Sequence, residues 1–173
     1  MTKKALNWLG YLAIIAAILF FLAPESWWQF GVSPAAKRSA ASDFEMKTLA
    51  GNEWNIADFQ GKVVVINYWA TWCGPCRVEM PGLVSFADQF KDKGVEIIGV
   101  TMDEDVSVVP AFMQEYSINY PIALPNYDAV PAAEGFPLPT TMLYDKEGRL
   151  AKKYTGIVLE STLRSDTKIL LAE

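Results

Sequence analysis

Val63-Val64-Val65-Ile66-Asn67-Tyr68-Trp69 runs for seven residues without a charge and without the apolar–polar alternation of a half-exposed strand. Its β-branched and aromatic side chains predict a strand buried on both faces, and such strands belong in the middle of sheets that carry helices on either side. The chain therefore reads as α/β. Residues 75–90 follow with a helical period that places Val78, Leu83, Phe86 and Phe90 on the inner side, with Pro81 bending the helix. Val95-Glu96-Ile97-Ile98-Gly99-Val100 reads as a second buried strand, and residues 108–116 as a helix with Pro110 in its first turns. Together they make a βαβ unit with parallel strands and a right-handed crossover.

Two hairpins frame this unit. Residues 44–49 and 53–56 flank Ala50-Gly51-Asn52, and residues 140–144 and 150–154 flank Asp145-Lys146-Glu147-Gly148. Residues 159–171 predict a closing helix, and no internal repeat is visible.

The N-terminus has a different character. Residues 5–23 form an uncharged stretch interrupted by Asn7, long enough as a helix to cover about 28 Å of a bilayer core of roughly 30 Å. A cleaved signal peptide is the competing reading, but Phe21-Leu22-Ala23-Pro24 lacks a small residue at the third position back and has proline after the cut. Residues 1–30 are therefore expected to be a single transmembrane anchor, with Trp27, Trp28 and Phe30 at the outer interface and Lys3 and Lys4 on the cytoplasmic side. Residues 31–42, rich in Ala, Ser, Gly and Pro, read as a linker reaching about 20 Å, and residues 43–173 as the folded domain.

Composition removes several functions. Histidine is absent, which excludes Ser-His and Cys-His catalysis and leaves a zinc site with two cysteines two ligands short; no metal is expected. The net charge is −5; residues 1–42 hold four cations and Glu25, so residues 43–173 carry −8, and nucleic acid is not an expected partner.

The only two cysteines stand in Cys73-Gly74-Pro75-Cys76, between the buried strand and the helix. At a helix mouth, Cys73 meets unpaired backbone N–H groups and the positive end of the helix dipole, both of which favour its thiolate. Cys73 is the expected nucleophile and Cys76, one turn on and less exposed, the resolving thiol. Gly74 lets a substrate backbone approach, and Pro75 suits the first helical turn. A static disulfide is the plain alternative, but so short a loop would contribute little stability. No cofactor is expected beyond the redox-active Cys73–Cys76 pair.

Trp69 to Arg77 resembles the active site of the thioredoxin superfamily. With the leading hairpin, Glu79-Met80-Pro81 and Leu138-Pro139-Thr140-Thr141, residues 43–173 resemble the membrane-anchored TlpA/ResA-like thiol–disulfide oxidoreductases. The resemblance implies a thioredoxin-like fold, a mixed central sheet flanked by helices with an N-terminal β-hairpin. It also implies a cis-proline opposite the dithiol, for which Pro139 is favoured over Pro131 and Pro137, and a substrate strand pairing beside Leu138, Pro139 and Thr140. Trp72 is expected either to shield the dithiol with a flat apolar surface or to pack in the core; Trp69 reads as core. Asn67 stands where cytosolic thioredoxins carry a buried aspartate, leaving Glu79 as the nearest ionisable group for proton handling. Exposure to solvent, or pairing with Arg77, is the bland reading of Glu79. Asp103-Glu104-Asp105 reads as a solvated turn or a helix N-terminus, and residues 126–136 as a loop leading to Leu138-Pro139 that either lines the partner groove or is plain surface.

The implied activity is reduction of protein disulfides on the extracytoplasmic side of a bacterial inner membrane, with cytochrome c maturation as one task and a transmembrane protein as electron donor. Two alternatives stand beside it. One is a Cu(I)-delivery module using both thiolates; the other is a peroxiredoxin-like peroxide reductase, which would need Thr or Ser where Ala70 stands.

Overall fold

A computed structural model describes residues 31–40, 45–49, 51–124 and 137–173. The apolar stretch 5–23 with its anchor reading, and the loop 126–136, lie outside the described residues, among which no helix is long and apolar enough to cross a membrane. Residues Val32–Glu173 form one unit.

Among the described residues, eight strands make one mixed sheet. In chain order the elements are β1 (Ser39–Ala40), β2 (Glu45–Thr48), β3 (Glu53–Asn55), β4 (Val63–Trp69), α1 (Gly74–Phe90), β5 (Val95–Thr101), α2 (Val109–Glu115), β6 (Ile122–Leu124), β7 (Thr140–Tyr144), β8 (Arg149–Thr155) and α3 (Glu160–Ala172). The strand order is β1-β8-β7-β4-β5-β6-β2-β3. Ala40 and Glu45 are five residues apart, at most about 19 Å of chain, yet β1 and β2 stand six places apart in the sheet, roughly 29 Å if it were flat. The sheet must curl.

All seven residues of β4 are buried. It runs parallel to β5 and antiparallel to β7, as a central strand covered on both faces should. Its side chains alternate: Val63, Val65 and Trp69 join Met80, Leu83, Phe86 and Phe90 of α1 and Leu163 and Leu170 of α3, while Val64, Ile66 and Tyr68 join Met46, Ile56, Phe59 and Tyr144. Each large apolar side chain so buried contributes about 1.5–3 kcal/mol. The second layer is supplied by the predicted leading hairpin, with Met46 opposite Trp54, and by the 3-10 turn Ile56–Phe59, boxed at Asn55 by its own side chain and that of Asp58.

Two expectations need correcting. Val78 does not face inward: it is exposed, and the inner stripe of α1 runs through Cys76, Glu79, Met80, Leu83, Phe86 and Phe90. The described part of the linker, residues 31–40, is not loose either. Ser33 N–H donates to Ala151 O at 2.9 Å, β1 pairs with β8, and Arg38 is buried, its guanidinium 2.9 Å from Asp145 and 2.6 Å from Glu173. A composition of small residues hid a short edge strand fastened by one arginine.

Candidate active site

The sheet brings the expected site to one end. β4 ends at Trp69, and Cys73 caps the N-terminus of α1 with Pro75 in its first turn. Tyr68 pairs with Thr140, so the cis Leu138–Pro139 bond, immediately before β7, lies at that same end. Cys73 and Cys76 are joined as a disulfide. The two sulfurs are unequal: Cys76 is fully buried, while Cys73 retains slight exposure and its Sγ accepts the N–H of Cys76 at 3.2 Å. Nothing lies within 4 Å of where a Gly74 side chain would project, so the backbone there is open to approach.

Leu138 is half-buried and packs at the margin of the apolar cluster that holds both cysteines. Pro139 O accepts the N–H of Gly156 at 2.8 Å, and the buried Thr140 hydroxyl donates to Pro137 O at 2.7 Å, which fixes the proline corner from both sides. Trp72 is 70% exposed, which removes core packing as its reading. Trp69 is fully buried and stacks on Phe112 with ring centroids 4.8 Å apart.

Glu79 is neither on the surface nor paired with Arg77. It is buried one turn past Cys76 on the same face of α1, and its carboxyl accepts Asn67 Nδ2 at 2.8 Å and the Val158 N–H at 3.1 Å. Burial pushes its pKa above the ordinary value, and the Val158 and Asn67 hydrogen bonds only partly oppose this. Asn67 also donates to Thr141 Oγ1 at 3.0 Å, while its own Oδ1 is buried without a partner. Turned about its amide axis, Asn67 would offer that oxygen to a protonated Glu79. Arg77 instead donates from Nε to Thr71 O at 2.9 Å and lies over the Phe112 ring at 5.2 Å.

Sequence reasoning missed Asp103. The acidic tripeptide looked solvated, yet Asp103 is buried and accepts from Thr71 N, the Thr71 hydroxyl and the Thr101 hydroxyl, all in or beside the loop before Cys73. The available signal was the two threonines, each able to satisfy a carboxyl where β4 and β5 end together.

A curled mixed sheet with a Cys-x-x-Cys disulfide at a helix mouth and a cis-proline at the same end defines a thioredoxin-like thiol–disulfide oxidoreductase. More particularly, the chain belongs to the AhpC/TSA family, whose model matches residues 38–164. The thiol-disulfide oxidoreductase ResA of Bacillus subtilis is 35% identical over 134 residues, 77% of this chain and 75% of that protein. ResA of Geobacillus thermodenitrificans is 37% identical over 127 residues, 73% of each. Among solved structures, a thioredoxin-family thiol:disulfide interchange protein of Chlorobium tepidum superposes with a TM-score of 0.70 at 25% identity, covering 80% of this chain and 99% of that one. A DsbF homologue of Corynebacterium diphtheriae gives 0.71 at 26%, covering 80% and 91%. The chain is a thiol–disulfide oxidoreductase.

Proposed function

We propose that this protein is a membrane-tethered reductant of protein disulfides on the extracytoplasmic side of a bacterial inner membrane. The tasks implied by its resemblance to the ResA-like proteins are cytochrome c maturation or the supply of electrons to another extracytoplasmic thiol protein, with electrons arriving from a transmembrane thiol reductase. The observation that carries the reading is the asymmetric dithiol: Cys73 Sγ faces the helix N-terminus while Cys76 is buried behind it next to Glu79.

Cys73 thiolate attacks one sulfur of the partner disulfide; that S–S bond breaks, a mixed disulfide forms, and the partner's leaving thiolate takes up a proton. Cys76 thiolate then attacks Cys73 Sγ, closing Cys73–Cys76 and releasing the partner with two more electrons than it brought. In this reading Glu79, three residues past Cys76 on the buried face of α1, takes up the Cys76 proton, and a negative charge there disfavours thiolates, which suits a reductant. Trp72, Gly74, Pro75, Leu138, Pro139 and Thr140 frame the partner chain. Support for the location comes from the uncharged stretch 5–23.

Cys76→Ser should accumulate mixed disulfides through Cys73, whereas Cys73→Ser should not, read on non-reducing gels with identification of the trapped proteins. Trapping equally through both, or through neither, would overturn the roles. A trapped apocytochrome c and a trapped transmembrane reductase are the expected partners.

A further inference from the structure

We propose that Asp103 is a positioning residue that, through Thr71, holds Trp72 as a fixed docking platform beside the dithiol and so sets recognition of protein disulfides rather than the sulfur chemistry. The inference rests on the protein-disulfide reading above.

The Thr71 peptide is gripped on both sides. Its N–H donates to Asp103 Oδ2 at 2.9 Å and Oδ1 at 3.2 Å, and its hydroxyl to Oδ1 at 2.6 Å. Its carbonyl accepts Arg77 Nε at 2.9 Å. Asp103 is itself held by the Thr101 hydroxyl at 2.7 Å, where β5 ends beside Trp69, and Met102 N–H donates to Trp69 O at 2.7 Å. Arg77 lies 5.2 Å from the centre of the Phe112 ring, which stacks with Trp69 and with Tyr116. A carboxyl offers enough acceptor sites for all of these donors.

All this fastening serves a residue that buries little. Trp72 follows Thr71 directly and is 70% exposed, so folding alone does not require it to be held. Cys73 is secured separately, by its N–H to Ala70 O at 3.2 Å, its cap on α1 and the apolar cluster around Cys76. Releasing Thr71 therefore frees Trp72 and leaves Cys73 in place. A loose tryptophan must be ordered whenever a partner binds, and ordering one residue is worth about tenfold in an equilibrium constant.

The test compares insulin with a small aromatic disulfide, 5,5′-dithiobis(2-nitrobenzoate), as oxidants of the reduced full-length protein. Asp103→Ala should lose about tenfold in kcat/KM for insulin, mostly in KM, and less than twofold for the small disulfide. The insulin loss should vanish in a Trp72→Ala background, and the pH titration of the Cys73 thiol should not move. Thr71→Val, which exchanges the hydroxyl for a methyl group, should lose about threefold, and Thr71→Ser, which keeps the hydroxyl, should retain the unaltered rate; these variants carry the test if Asp103→Ala fails to fold. Equal losses on both oxidants, additivity with Trp72→Ala, or a shifted Cys73 titration would overturn the inference. If the unaltered protein does not reduce insulin, the protein-disulfide reading falls first and takes this one with it.

Discussion

Glu79 sits where a charge is costly, and pH should reveal it. Burial raises its pKa, so the folded chain keeps this proton to higher pH than the unfolded chain, whose glutamates titrate near about 4.3. Between that value and the raised one the native state binds more protons, so stability falls as pH rises across the window and is level above it. Glu79→Gln should flatten the decline seen by urea denaturation as pH rises above the ordinary glutamate range, and should lower the thiol pKa values by removing a nearby negative charge. An unchanged thiol titration would detach Glu79 from the dithiol. At this scale the two cysteines and Pro139 were legible because a motif and a following Thr-Thr strand marked them. Asp103 was not, because its partners Thr71 and Thr101 come from different strand ends and meet only in the fold.

Strand β5 shows how tightly the layer behind the site is packed. A Cβ on Gly99 would lie 2.7 Å from Ile122 Cδ1 and 2.8 Å from Trp69 Nε1, with the Tyr120 ring at 3.2 Å. Gly99→Ala should therefore destabilise the fold by about 1–3 kcal/mol through overpacking, measured by chemical denaturation. A neutral result would mean that the Trp69 ring yields freely. The long elements were readable because β4, β5 and α1 each carry enough apolar residues to show a period. β6 was not: Ile122-Ala123-Leu124 is too short to show one. Nor was β1, whose two residues, Ser39 and Ala40, are both exposed and owe their place to pairing with β8.

Across the whole molecule, Arg38 joins the first described segment to the last helix. Its side chain and that of Asp145 are almost fully buried, and Asp145 also binds Arg149 at 2.8 Å. Although burial acts against it, the Arg149 N–H and the Arg38 and Arg149 guanidinium groups hold the Asp145 pKa below the ordinary value. The stabilisation is thus present above about pH 4 and is lost as pH falls through the depressed value. Arg38→Ala should cost about 2 kcal/mol at neutral pH, less than a fully orphaned buried charge because Arg149 remains, and the difference from the unaltered protein should shrink in acid. A deficit independent of pH would assign the loss to packing instead. The pairing register of β8 adds a direction to this attachment. Ser39 and Ala40 lie against Leu150 and Arg149, whereas Thr140, next to the cis-proline, lies against Thr155, about 17 Å further along the strand. The Arg38 fastening sits towards one end of β8 and the disulfide works at the other, so a partner can close on Cys73 without disturbing the ion pairs that hold the first described segment.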